Sequence, residues 1–220
     1  MLKREMIKAV GFDLDECLYP SNPEINGRIR DQISSRILEK HADLKNVKGA
    51  RAYFEEQYQQ LGSGRKVLIA AGYKPEEASQ IMNLAVSQAD IIDLIKEDNK
   101  TTELIQRIGK SYPFTYLLTS SPYESAQNKL RAIGINPDVF AYRICSNNCE
   151  GLSKQDGSAF RYASEKTGVP AENHVYIGNS TKSDIMPAKA VGMQTIGVWS
   201  DIPEADTSVM HIHDLKSLLL

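Results

Sequence analysis

The chain has 220 residues, 41% of them apolar and 25% charged, with a net charge of −2. That length suits one large domain or a core carrying a smaller one, and the composition is that of a globular protein. The charge gives no electrostatic reason to expect a nucleic-acid polymer or an anionic membrane as partner, no apolar run is long enough for a span, and three cysteines make no disulfide framework. A cytoplasmic protein is expected, since the basic start MLKREMIKAVGF lacks the small-residue cleavage site of a secretory leader.

The first element is the apolar run within IKAVGFDLDECL, residues 7–18, which stops at Asp13 and Asp15. Alternate side chains of a strand share a face, so both acids should leave the strand end on one side. Like charges so close call for a cation between them or a proton on one. A metal-assisted reaction centre is the sharper reading; a buried strand followed by an acidic turn is the plainer one.

A helical stretch follows. Residues 24–40 place Ile25, Ile29, Ile33 and Ile37 four apart on one stripe, and residues 48–61 carry Tyr53, Phe54, Tyr58 and Leu61. Gly62-Ser63-Gly64 breaks that helix, a short one follows at 65–71, and Pro75 starts another to about Ala89. The pattern then changes to a helix at 101–110, a strand at 114–119 ending in Thr119-Ser120-Ser121-Pro122, and a helix at 122–133. Next come a strand at 139–145, a helix at about 155–167, a strand at 174–178, a helix at 182–191 and a strand at 194–199. The tail VMHIHDLKSLLL suits a short edge strand and a last helix. Alternating strands and helices predict an α/β fold, a doubly wound, mostly parallel Rossmann-like sheet. The core should comprise residues 1–17 and 95–220, with residues 18–94 an inserted helical cap that reads as a lid near the two acids. None of the four histidines has ligand spacing, and Cys145 and Cys149 lack the second pair a zinc site needs.

Four strand ends carry polar groups: Asp13 with Asp15, Thr119, the segment before Lys154, and Asn179 with Asp184. Their sequences DLDEC, LLTS, KQDGSAF and YIGNSTKSD resemble, in order and spacing, the four motifs of the haloacid dehalogenase superfamily, made up mostly of phosphatases. DLDECLYP is further similar to the signature of its pyrimidine 5′-nucleotidase-like group, whose cap the insertion resembles more loosely.

The resemblance implies a Mg²⁺-dependent phosphomonoesterase acting on a small phosphorylated metabolite, with pyrimidine nucleoside 5′-monophosphates favoured. Asp13 would be the nucleophile, Asp15 the acid and base, Thr119 and Ser120 the phosphate holders, and Lys154 the counter-charge to nucleophile and phosphoryl group. Mg²⁺ would take Asp13, the backbone carbonyl of Asp15, and Asn179 and Asp184. Tyr19, Asn22, Tyr53, Tyr58, Ser63 and Arg65 are candidates for substrate selection, Tyr19 and Arg65 foremost. Two positions depart from the motifs: Asn179 replaces an acid, which should weaken metal binding, and Cys17 replaces a Thr or Val and reads as a packing residue. Asp15 argues against carbon–halogen cleavage, where no alkoxide needs a proton. A sugar-phosphate or general phosphatase is the alternative on the same machinery, and a degenerate phosphate- or metal-binding module the alternative without turnover. The chain is expected to act as a monomer or homodimer.

Overall fold

The computed structural model describes residues 2–149 and 151–220. The chain forms two compact units, one running up to Pro20 and resuming at Ile95–Leu220, the other Ser21–Leu94.

In the first unit, β1 (Ala9–Phe12) is buried along its whole length, as an inner strand covered on both faces must be. The second unit then contributes α1 (Pro23–Lys40), α2 (Val47–Leu61), α3 (Gly64–Ala70) and α4 (Pro75–Gln88). The first unit resumes with α5 (Asn99–Ser111), β2 (Phe114–Leu118), α6 (Tyr123–Ile133), β3 (Tyr142–Ile144) and α7 (Ser158–Thr167). It closes with β4 (His174–Gly178), α8 (Met186–Ala190), β5 (Gln194–Val198), β6 (Thr207–Val209) and α9 (Leu215–Leu219).

The six strands lie in the order β3-β2-β1-β4-β5-β6, and every neighbouring pair is parallel. This is a doubly wound order whose direction of winding reverses between β1 and β4, so the crevice for a ligand opens at their carboxyl ends. On one face Ala9, Tyr116, Leu118 and Tyr176 pack with Ala159, Phe160 and Ala163 of α7. Gly11 is required there: a Cβ at this position would run into the ring of Tyr116. The Tyr116 hydroxyl is hydrogen-bonded to Nδ1 of buried His174, which satisfies both polar groups inside the core. His174 is thus structural.

The second unit has its own core, in which Ile33 and Ile37 of α1 meet Ala50 and Phe54 of α2, Val67 and Leu68 of α3, and Ala78 and Ala85 of α4. The four-residue spacing of isoleucines in α1 is the stripe that makes this packing possible.

Three elements differ from the sequence expectation. The strand at 139–145 is confined to Tyr142–Ile144, because Pro137–Val139 forms a 3₁₀ turn first. The helix at about 155 begins at Ser158, after Gly157 adopts φ 78°. The helix at 182–191 opens as a π-turn, Thr181–Ile185, before α8. In addition, α5 starts earlier than residue 101 because the Asp98 side chain accepts from the Lys100 and Thr101 amides.

Asp98 also bonds the Thr101 hydroxyl and His213, and these contacts outweigh burial and hold its carboxyl below the usual range. A depressed carboxylate stabilises the fold above its unfolded pKa and loses that contribution as pH falls through the folded one. Asp98→Ala should therefore cost about 1 kcal/mol in urea unfolding at neutral pH. The difference from wild type should narrow below about pH 4; a difference that does not change with pH contradicts the cap's charge.

Candidate active site

Asp13 follows β1, and its amide donates to the Ile177 carbonyl at 2.9 Å, extending the pairing with β4 by one residue. It shares a face with Ala9 and Gly11, the face covered by α7. Lys154 reaches it from the loop before α7. The Lys154 ammonium donates to Asp13 Oδ1 at 2.6 Å and to Asp184 Oδ1 at 2.8 Å. It also lies 5.5 Å from the centre of the Tyr176 ring. The loop is fixed by its own side chains: Ser153 N–H donates to Ser158 Oγ, Gln155 N–H to Ser153 Oγ, and Ser158 N–H to Asp156 Oδ1.

Asp184 is supplied by the π-turn after β4. The Ile185 amide donates to the Ser180 carbonyl, five residues back, and the Ser180 amide donates to Asp184 Oδ2 at 3.0 Å. Gly178 must lack a side chain, since a Cβ there would collide with the Asp184 carboxyl group. The residues predicted from the first, third and fourth motifs therefore meet in one buried cluster. Asp13, Lys154 and Asp184 are 7%, 8% and 0% exposed.

Two carboxylates share one ammonium in this cluster. Burial pushes Asp13 up; Lys154 opposes the rise, Asp184 and Asp15 add to it, and the result is about 7. Burial works against the charge on Lys154, but Asp13 and Asp184 together lift its pKa above the usual value, so it stays an ammonium.

Asp15 does not continue the strand. It sits in a turn in which the Leu18 amide donates to the Leu14 carbonyl and Glu16 takes φ 56°, a left-handed conformation unusual for a residue with a side chain. The turn is braced by Trp199, whose Nε1 donates to the Cys17 carbonyl at 2.9 Å. Cys17 is buried with its Sγ directed at the Ile177 carbonyl, and burial raises its thiol well above the ordinary pKa. A neutral packing thiol results.

Nor does Asp15 rely on a shared cation, as a simple strand-end pair would. Lys129 of α6 donates to Asp15 Oδ1 at 2.6 Å, Tyr19 donates its hydroxyl to the same oxygen at 2.7 Å, and Ser121 Oγ donates to Oδ2 at 2.6 Å. Burial favours neutral Asp15, but Lys129 and the hydrogen bonds from Ser121 and Tyr19 outweigh it and hold the carboxyl below its usual range. Thr119 is buried at the end of β2, where its Oγ1 accepts from the Ser121 amide and lies 3.5 Å from Asp15 Oδ2. Ser120 is exposed beside it.

The remaining expected site residues are placed as follows. Tyr19 is buried with its hydroxyl on Asp15. Arg65, in the helical unit, gives Nε to Ser79 Oγ and Nη2 to the Pro75 carbonyl. Asn179 is half-buried at the end of β4, and its side chain makes no hydrogen bond among the described residues.

The donor chemistry fits a hard divalent cation. Oδ2 of Asp13 and the Asn179 amide oxygen are unengaged by the described residues, Asp184 is adjacent, and the cluster holds more acids than ammonium groups. Among the described residues no three His, Cys, Asp or Glu side chains form a metal cluster, and an amide stands at 179.

Lys129 and Ser121 escaped the sequence reading. The signal was present in α6: Lys129 lies three residues after Ala126 and four before Ile133, on the face those apolar residues bury. A lysine on a buried stripe needs an acid opposite it.

A family model for haloacid dehalogenase-like hydrolases matches residues 7–192 of the chain. Glyceraldehyde 3-phosphate phosphatase of Methanocaldococcus jannaschii is 26% identical over 229 residues, covering 97% of this chain and 96% of that protein. 5-Amino-6-(5-phospho-D-ribitylamino)uracil phosphatase YigB of Escherichia coli is 24% identical over 202 residues, 86% of this chain and 82% of that one. Among solved structures, an HAD phosphatase from Thermococcus onnurineus has the same fold, with a TM-score of 0.64 at 19% identity over 97% of this chain and 98% of that one. With its core strands, buried Asp13–Lys154–Asp184 cluster and family match in agreement, the chain belongs to the haloacid dehalogenase-like hydrolases.

Proposed function

We propose that this hydrolase is a phosphomonoesterase that cleaves small phosphorylated metabolites through an aspartyl-phosphate at Asp13. The observation that carries the reading is the division of labour between two lysines: Lys154 serves Asp13 and Asp184, while Asp15 has a counter-ion of its own in Lys129. A nucleophile and a separately held acid–base group are what phosphoester cleavage with a poor leaving group requires.

In the first step a carboxylate oxygen of Asp13 bonds to phosphorus as the bond from phosphorus to the leaving oxygen breaks, and that oxygen takes a proton from Asp15. The Asp15 carboxylate, ionised at rest, first receives the proton that Asp13 gives up on becoming the nucleophile. In the second, a water oxygen bonds to phosphorus and gives its proton to Asp15. The bond between Asp13 and phosphorus breaks and the Asp13 carboxylate is restored. Lys154 neutralises charge on Asp13 and on the transferred group, and Thr119 and Ser120 hold phosphate oxygens. Mg²⁺, held by Asp13, Asn179, Asp184 and the Asp15 carbonyl, would favour the ionised nucleophile and offset phosphate charge. The helical unit, inserted directly after the loop bearing both acids, acts in this reading as the cap that selects substrate, with Tyr53, Tyr58, Ser63 and Arg65 as candidates.

The sequence DLDECLYP supports a pyrimidine nucleoside 5′-monophosphate as substrate. The relatives named for glyceraldehyde 3-phosphate and for a phosphoribitylaminouracil support a second reading, a phosphorylated sugar or sugar-like chain. A panel of UMP, CMP, dUMP, AMP, triose and ribityl phosphates, assayed with and without Mg²⁺, separates the two. No Mg²⁺-dependent release of phosphate from any of them would reject the phosphatase reading.

Asn179 gives one further expectation. Exchanging its neutral amide for a carboxylate adds a negative charge to the cation's ligands, so Asn179→Asp should tighten Mg²⁺ binding by about tenfold. Isothermal calorimetry checks this without turnover; an unchanged affinity removes Asn179 from the coordination set.

A further inference from the structure

Lys129 is 0% exposed, and burying an ammonium costs several kcal/mol unless a partner and hydrogen bonds compensate it. Its place on α6, between Ala126, Leu130 and Ile133, could be filled by a leucine or methionine if packing were the whole requirement. Instead its ammonium closes a ring, donating to Asp15 Oδ1 at 2.6 Å and to Ser121 Oγ at 2.9 Å, while Ser121 Oγ donates to Asp15 Oδ2 at 2.6 Å. Both carboxylate oxygens are thereby fixed, and the side chain cannot turn about its Cβ–Cγ bond without breaking the ring.

The oxygens are not equivalent. A carboxylate oxygen accepts about two hydrogen bonds. Oδ1 already has two donors, Lys129 and Tyr19. Oδ2 has one short bond, from Ser121, and otherwise only the Thr119 hydroxyl at 3.5 Å. The oxygen with capacity left is the one beside Thr119, where the substrate phosphate is proposed to sit.

We infer that Lys129 is a positioning residue for proton transfer, which with Tyr19 occupies Oδ1 of Asp15 and leaves Oδ2 as the oxygen that exchanges the proton with the leaving group and with water. This rests on the phosphomonoesterase reading above. Proton transfer needs a donor within hydrogen-bond reach of the reacting oxygen, so a carboxyl group free to rotate loses much of its effect.

The test compares kcat/KM, which reports the first chemical step, for p-nitrophenyl phosphate and glycerol 1-phosphate. The aryl leaving group departs without a proton and the alkoxide does not. In Lys129→Met, kcat/KM for the alkyl ester should fall at least about tenfold further than for the aryl ester. The aryl ester should also give a burst of nitrophenol, because attack of water on the phosphoenzyme needs Asp15 as well. Tyr19→Phe removes the other Oδ1 donor with little change in volume and should shift the ratio the same way by a smaller factor, which decides the matter if Lys129→Met does not fold. Equal losses on both esters, with no burst, would overturn the positioning role. If the wild type cleaves neither ester, or Asp13→Asn cleaves both as well as wild type, it is the phosphatase reading that falls, and the inference with it.

Discussion

Asp13→Asn should abolish turnover, lowering kcat by at least about 10³-fold, in a protein that is as stable as wild type or more so. The amide keeps the shape of the side chain but cannot attack phosphorus. Stability is retained because wild-type Asp13 and Asp184 compete for one ammonium, and burial has already pushed the Asp13 carboxyl up to about 7. Neutralising one acid leaves Lys154 and Asp184 as a matched pair. Active centres commonly carry such a cost, and it should be visible here as a melting temperature that does not drop. Differential scanning calorimetry beside the phosphatase assay checks both halves. A variant that is inactive because it is unfolded would contradict the electrostatic account of the cluster, and one that keeps its activity would remove Asp13 from the nucleophile's role.

Lys154→Met gives the opposite pattern in stability. It leaves two buried carboxylates facing each other without their counter-ion, a change that costs about 3–5 kcal/mol. On the proposed mechanism activity should be lost as well, since the transferred phosphoryl group would no longer meet the ammonium. Adding Asp13→Asn to the same chain removes the repulsion and should recover part of the lost stability while leaving turnover at zero. The recovery is therefore an interaction energy, readable from urea unfolding of the two single variants and the double one. Strictly additive effects would mean that Lys154 and Asp13 do not form the pair seen at 2.6 Å.

Much of this molecule was legible from its sequence because the relevant signals are periodic or punctuated. The parallel strands read as short apolar runs because they are covered on both faces, as β1 and β4 are along their full length. The helices of the second unit read from the isoleucine stripe of α1 and from the Gly-Ser-Gly break. The acids and the threonine at strand ends read from their positions after those runs, whereas Lys154, which follows no apolar run, reads only from the resemblance of KQDGSAF to a family motif.

What stayed hidden depends on contacts between distant segments. Asp15 was expected to face Asp13 along one strand. The chain instead turns after Asp13, with Glu16 in a left-handed conformation and Trp199 bracing the Cys17 carbonyl from a segment far along the sequence. Lys129 looks like any helix-surface lysine until its spacing against Ala126 and Ile133 is counted, and its acid lies 114 residues away. Tyr19 reads as a candidate for substrate selection, and the bond from its hydroxyl to Asp15 has no signature in the sequence. The π-turn that presents Asp184 also carries no periodic signature, since its extra residue exists to bring one carboxylate against Gly178.

The most direct test of the central claim is to trap the covalent intermediate. Wild-type protein mixed with a radiolabelled phosphomonoester, quenched in acid and reduced with borohydride, should yield homoserine in place of aspartate at position 13 when the peptides are sequenced by mass spectrometry. Label on a residue other than Asp13, or steady turnover with no covalent phosphate at any time after mixing, would contradict the account.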